Sequence, residues 1–468
     1  MMRALYSGVA GLKTHQTRMD VIGNNIANVN TTAYKSQSMT FGDLMYQTTQ
    51  SASGANPTTG VGGVNARQIG LGSKTGAIKT AITTQGASQT TNDPFDLMIT
   101  GDAFFVVSNG NDNFFTRDGS FYVDGVGNLC MTSNGYNVMG WQVDSADPST
   151  IKQDTVSALR VMTEENLTYP SEATTMSRIT GIIDAKDTNV NSSEGKIVNL
   201  EFFDEKGYKY TAKLSIHAKT PGSGDRGEFT VQLDDVLDSE GKSIMFSTSI
   251  DPATGQTTTT PIAGVEVKLN GQEPGTGVDL IYDPGTGAFD YVGADNNSQI
   301  SLTFSPGTLP SMREIAIDFS ATSNLNNNGS STTTAVRGDI DGLGAGRRVG
   351  EMSGITIQKD GMIYATYDNG QSRLLGQIAV ATFANASGLA KEGDNLYSST
   401  MNSGEFDGIG TDITTGGGYM NTGVLEMSNV DLSAEFTEMI TTQRGFQANS
   451  RIITVSDTLL EELTNLKR

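Results

Sequence analysis

The sequence predicts an α+β chain, mainly β, whose long amino- and carboxyl-terminal helices form a coiled-coil-like stem with nested β-rich domains between them. Three observations carry this. Near the amino end Leu5, Leu12, Met19 and Ile26 recur every seven residues, with Val9, Ile22 and Val29 at the intervening three- and four-residue steps. Near the carboxyl end Leu432, Met439, Phe446, Ile453 and Leu460 do the same, with Phe436 one turn after Leu432. Almost everything between is glycine- and threonine-rich β-type sequence, with 55 glycines in the chain. A seven-residue apolar repeat makes a narrow stripe that is best buried against another helix, so these thirteen residues are the candidate assembly interface.

The first helix is expected from about Met2 to Val29, roughly 40 Å at 1.5 Å per residue. Asn30, Thr31 and Thr32 end it, because their side chains bond to nearby backbone and favour turns. Residues 47–65, low in apolar content, read as an extended arm. From 71 to 148 the chain reads as strands and tight turns: Asp96 to Val107 as strand, turn, strand, and Phe114 to Val123 as a pair about Asp118-Gly119.

Residues 149–344 change texture, with strands at Ile197–Phe203, Tyr208–Ile216, Glu228–Leu233, Val265–Leu269, Ile300–Phe304 and Ile315–Phe319 between polar loops. They read as one inserted outer β-domain or two. Hairpin signals return over 345–424, at Asp360-Gly361 and Asn369-Gly370, so 71–148 and 345–424 are expected to form one discontinuous β-domain.

The last helix starts near Ser428, Asn429 or Asp431, all good N-caps, and runs to about Leu466. Residues 425–468 would join residues 1–70 in a single inner domain. Gly445 inside this helix costs roughly 1 kcal/mol relative to alanine, which a close approach to a neighbour would explain. A charge at Met439, mid-stripe, is expected to block assembly. Thr442 is expected on the opposite side. A narrow stripe without a partner gains little burial, so both ends are expected to be loose in a free subunit.

With 31 basic and 52 acidic residues and a net charge of −21, the chain is not built for nucleic acid or for an anionic membrane surface. Cys130 is alone, which excludes an intramolecular disulfide, and reads as a small buried hydrophobe. His15 and His217 are too few for a structural zinc site and supply little general base, and no catalytic, cofactor-binding or metal residue is expected. Gly342-Leu343-Gly344-Ala345-Gly346 lacks the lysine of a phosphate loop. Asp339-Ile340-Asp341-Gly342 lacks the distal glutamate of a calcium loop, and Arg337-Gly338-Asp339 is a tripeptide of the kind polar loops contain by chance. No cleaved signal peptide and no membrane insertion are expected.

Two longer stretches are specific. Ala4-Leu5-Tyr6-Ser7-Gly8-Val9-Ala10-Gly11-Leu12 with Met19 to Thr31 (MDVIGNNIANVNT), and Leu425 to Leu432 (LEMSNVDL) with Gln443 to Arg451 (QRGFQANSR), resemble the two terminal signatures of the bacterial flagellar rod and hook protein family. The long central insert sets the chain with the hook members, because rod members share the ends without it. The resemblance implies export through the flagellar type III apparatus and assembly beneath a hook cap. It further implies self-polymerisation into a flexible curved tube that joins the distal rod to the hook–filament junction proteins and transmits torque as a universal joint. A distal rod or hook-associated junction protein is the alternative, and a secreted glycan-binding or hydrolytic enzyme the remote one. Ala33, where the family commonly has glycine, suggests a slightly different turn.

Overall fold

The computed structural model describes residues 2–54, 60, 62–144, 147–220, 222–250, 257–293, 297–305 and 309–466. It is mainly β with few helices and divides into two compact units. One comprises Met1–Asn166, Gly354–Thr366 and Ser372–Arg468; the other comprises Leu167–Ser353 and Tyr367–Gln371. The strand Ser157–Ala158 pairs with Asn137–Gln142 inside the first unit, so the compact insert begins later than residue 149, and it ends later than 344.

The first unit holds both long helices, Met2–Ala27 and Leu432–Asn465. The second of them starts on Asp431, whose carboxylate accepts from the amides of Ser433 at 2.8 Å and Ala434 at 3.3 Å. After the first helix the chain forms a two-stranded ribbon. Gln37–Asp43 pairs antiparallel with Ser73–Thr80, and Tyr46–Gln50 pairs with Arg67–Gly70. The expected extended arm therefore begins as a strand, while residues 55–59 and 61 lie outside the described residues. The ribbon's base packs on the first helix: a Cβ on Gly72 would lie 3.0 Å from that of Ala10, and Met39 is buried.

The β-core of this unit is built from Phe104–Ser108, Asn113–Thr116, Asn137–Gln142, Ser372–Ile378 and Leu396–Ser398. Phe104, Phe115, Trp141, Ile363 and Val380 are fully enclosed, and Phe115 meets the Phe383 ring edge-on at 4.7 Å. The two hairpins expected here pair differently, one strand with a distant partner and the other with the strand that follows it. Leu97–Thr100 pairs with Tyr419–Thr422, and Phe121–Val123 pairs with Leu129–Met131. Asp118-Gly119 is thus no hairpin turn. Gly119 is required because a Cβ there would sit 1.8 Å from the carbonyl oxygen of Leu97. Cys130 is buried in the strand Leu129–Met131, where desolvation pushes its thiol pKa up and keeps it unreactive.

The second unit packs two five-stranded sheets around one core. The first sheet runs Val267–Leu269, Gln299–Phe304, Ile315–Asn324, Met176–Ile183 and Thr334–Arg337. The second runs Lys196–Phe203, Lys209–Ala218, Glu228–Leu237, Val278–Tyr282 and Phe289–Val292. Period-two alternation puts Phe229, Val231 and Leu233 inward from one sheet and Ile315, Ile317 and Phe319 from the other, into a single continuous cluster. The Arg337-Gly338-Asp339 tripeptide is absorbed by the fold. Arg337 lies over the Phe203 ring at 4.6 Å, and Asp339 accepts the amides of Asp341 and Leu343 at 2.9 and 2.8 Å. Among the described residues no group of His, Cys, Asp and Glu could hold a metal ion, and no helix is long and apolar enough to cross a membrane.

Candidate functional site: the paired terminal helices

The two long helices pack antiparallel in register. A Cβ on Gly8 would lie 3.3 Å from Ile453 Cγ1, one on Gly11 would lie 2.7 Å from the Asn449 amide, and one on Gly445 would lie 2.6 Å from the His15 ring. Further along, Arg18 pairs with Glu438 at 2.9 Å, and the Asn25 amide donates to Glu435 at 2.8 Å. The close approach suspected at Gly445 is real. Glycines let the axes come together and leave room for one imidazole.

The seam is small and polar. Gly8, Gly11, His15, Arg18 and Asn25 follow alternating three- and four-residue steps, continued by buried Ile22. Glu435, Glu438, Gly445, Asn449 and Ile453 answer them. Thr442 lies on this same face and is only 2% exposed, which corrects the expectation that it faces away. His15 Nδ1, Thr442 Oγ1 and one oxygen of Glu435 are buried here without hydrogen-bond partners. Such a seam contributes little net stability, since each orphaned polar atom costs of order 1–3 kcal/mol.

The apolar repeat falls largely beside this seam. Leu5, Leu12, Met19, Ile26 and Val29 are half-buried, and Val9 is 54% exposed. On the other helix Met439, Phe446, Ile453 and Leu460 are half-buried, whereas Leu432 and Phe436 are exposed. Ile440, and then Ile452, Val455, Leu459 and Leu463 at three- and four-residue steps, are also exposed. Ile440 and Val455 face away from the partner, whereas Ile452, Leu459 and Leu463 continue the steps of the seam through buried Thr442 and Ser456, with Ile452 Cγ2 3.6 Å from where a Cβ on Gly8 would lie. Given the pairing register, the last turns of this helix have no residue of the amino helix opposite them.

The pair is joined to the β-core through the segments flanking it. Asn25, fully buried, also donates to the Gln37 carbonyl at 2.8 Å and accepts the Gln37 amide at 2.9 Å. Asn429 accepts the Ser36 amide at 2.7 Å and donates to Ala81 and Thr84 carbonyls. Ala33 keeps the left-handed conformation, φ 54°, and its amide donates to the Glu426 carbonyl at 2.7 Å. The turn is the one a glycine would make, held at an alanine at about 1–2 kcal/mol of strain.

Burial and the neighbouring Arg18 guanidinium hold the His15 pKa below its ordinary value of about 6.5. Because the folded pKa is depressed, the unfolded chain binds the extra proton first. This contribution to helix pairing is complete above about pH 6.5 and is lost as the pH falls through the folded pKa. Glu435, whose pKa burial raises, acts in the opposite sense. The expected result is that wild-type protein loses protection of the amino helix on going from pH 7 to 5.5 relative to His15→Gln, with proteolytic rates normalised to an unstructured peptide. Parallel pH profiles for the two proteins would contradict it.

The paired termini enclosing a β-rich middle define a class, and comparison with known proteins gives the same one. Residues 5–35 match the flagella basal body rod protein family, residues 98–199 the flagellar hook protein FlgE/F/G D1 domain, and residues 421–466 the flagellar basal body rod FlgEFG protein C-terminal region. The chain is a flagellar axial protein. It is 36% identical over 493 residues to the flagellar hook protein FlgE of Treponema pallidum, and 36% over 483 residues to that of Borreliella burgdorferi, with 100% of each chain covered in both cases. It is also 29% identical over 468 residues to the flagellar basal-body rod protein FlgG of Bacillus subtilis, covering 100% of both. A crystal structure of Helicobacter pylori flagellar hook protein FlgE2 aligns with TM-score 0.35 at 15% identity, over 71% of this chain and 99% of that one. The chain belongs to the flagellar hook protein FlgE family and is a structural subunit of the hook.

Proposed function

We propose that the subunit polymerises with copies of itself through the outward apolar faces of its paired helices, which act as a coiled-coil-like stem in the inner wall of a curved, flexible tube. The stripe residues other than Ile22 and Ile453, which the helix pair itself encloses, form the contact surface in this reading together with Val455 and with Leu459 and Leu463 beyond the partner's end. The tube is the universal joint that carries torque from rod to filament. Contacts with the distal rod, the hook cap, the junction proteins and the export apparatus belong to the same reading, as does the absence of any catalytic role.

One observation carries it. The pair spends its glycines and polar groups on the internal seam and leaves Val455 57%, Leu459 44% and Leu463 50% exposed on one helix. Fully burying such side chains is worth roughly 1.5–3 kcal/mol each, so a neighbouring subunit has more to gain than the chain's own second helix. In the double variant Val455→Asp, Leu459→Asp the chain is expected to be secreted at wild-type level with unchanged circular dichroism, yet to form no tubes visible by electron microscopy. Tubes at wild-type yield would sink the proposal.

A further inference from the structure

Lys35 and Glu426 stand 391 residues apart in sequence, one just past the amino helix and one just before the carboxyl helix. They meet as an ion pair at 2.7 Å with both side chains fully enclosed. Lys35 Nζ also donates to the Thr84 carbonyl at 2.7 Å, and the same Glu426 oxygen accepts the Gly86 amide at 2.9 Å. Arg117, 1% exposed, donates to the carbonyls of Ile99 and Gly101 and lies over the Phe104 ring at 5.3 Å. Asp118, 6% exposed, accepts from the Thr32 hydroxyl and the Ser120 amide, each at 3.2 Å. Two buried cations and two buried carboxylates thus gather where the helix-flanking segments enter the β-core.

We propose that Lys35 and Glu426 are a positioning pair: they admit only one placement of the two helix-flanking segments on the β-core, and so fix the direction in which the helix pair leaves it. A buried ion pair is a poor stabiliser compared with well-packed apolar side chains, but removing one partner strands a charge in the interior. Neither end can therefore dock without the other. An apolar substitute would fill the space equally well and tolerate neighbouring placements, because dispersion contacts have no required partner. In a tube, even a bent one, the inner wall closes only if every subunit presents its helices within a narrow range of angles. The pair therefore acts on assembly more than on stability, an argument that rests on the polymer reading for its assembly readout alone.

The test uses the full chain and three variants: Lys35→Met, Glu426→Leu and the two combined. Each single variant is expected to lower the equilibrium constant for folding of the unit that contains the helices at least a hundredfold in denaturant titration. The combined variant is expected to recover to within about tenfold of wild type. At matched concentration it should nevertheless form few tubes, or tubes irregular in diameter. Recovered stability together with wild-type tubes overturns the proposal, and so does a combined variant as unstable as the singles. If wild-type protein itself made no tubes, the polymer reading would fail, whereas the coupling measured in denaturant would still decide whether the two ends dock together.

Discussion

Gly11→Leu opens the helix pair even though it strengthens the helix that carries it. Leucine is better than glycine in a helix interior by about 1 kcal/mol, so the amino helix taken alone gains order. At the seam, however, even a Cβ would come within 2.7 Å of the Asn449 amide, and the whole isobutyl group must go where the facing helix now lies. Overpacking of a fixed interface costs about 1–3 kcal/mol and more where backbone must move, which exceeds the propensity gain. The seam has little to offset it, with orphaned polar atoms on His15, Glu435 and Thr442. A disulfide between cysteines placed in the two helices should form rapidly in the wild-type background and slowly with Gly11→Leu, and tube formation should be lost. Equal cross-linking rates would show that the helices can separate without cost, or that the seam is not where it is drawn here.

Gly119→Ala is expected to cost about 3 kcal/mol or more for one methyl group, at the upper end for single substitutions. The added carbon would lie 1.8 Å from the carbonyl oxygen of Leu97 and 3.1 Å from the Phe105 ring. Backbone cannot swing aside as a side chain can. The Leu97 amide meanwhile bonds to the Gly119 carbonyl at 2.9 Å, so relieving the clash breaks that bond as well. Thermal melting should show a large drop in the transition of the first unit, and the transition of the second unit should not move. A shift of less than about 1 kcal/mol would mean that the Leu97–Gly119 approach is loose.

Both glycines show where the sequence was readable and where it was not. The helices were legible because heptad spacing and the Asp431 cap are local signals, and the second unit's strands were legible wherever apolar and polar residues alternate, as at Phe229, Val231 and Leu233. Strands without that contrast, such as Thr334–Arg337, passed unnoticed. The seam was missed because a search for apolar periodicity passes over Gly8, Gly11, His15, Asn25 and Thr442; three- and four-residue spacing among small residues was the available signal. The Asp118-Gly119 dipeptide has the composition of a hairpin turn, and only the chain of Leu97 pressing against it shows that glycine serves a close approach. Pairings such as Leu97–Thr100 with Tyr419–Thr422, and the ion pair of Lys35 with Glu426, join residues hundreds of positions apart and leave no local trace.

The division of the helices into a polar seam and apolar outer faces sets the kinetics of growth. If subunits meet on these faces, as proposed, most of the free energy available to the helices is released between subunits, and a chain in dilute solution gains little from forming its pair. A subunit reaching an existing end gains the whole of it by mass action. Growth then has a critical concentration, below which tubes shrink from their ends. Above it, spontaneous starts are rare because the first few subunits have too few neighbours, and a short preformed piece should abolish the lag. Elongation is thereby confined to ends that already exist.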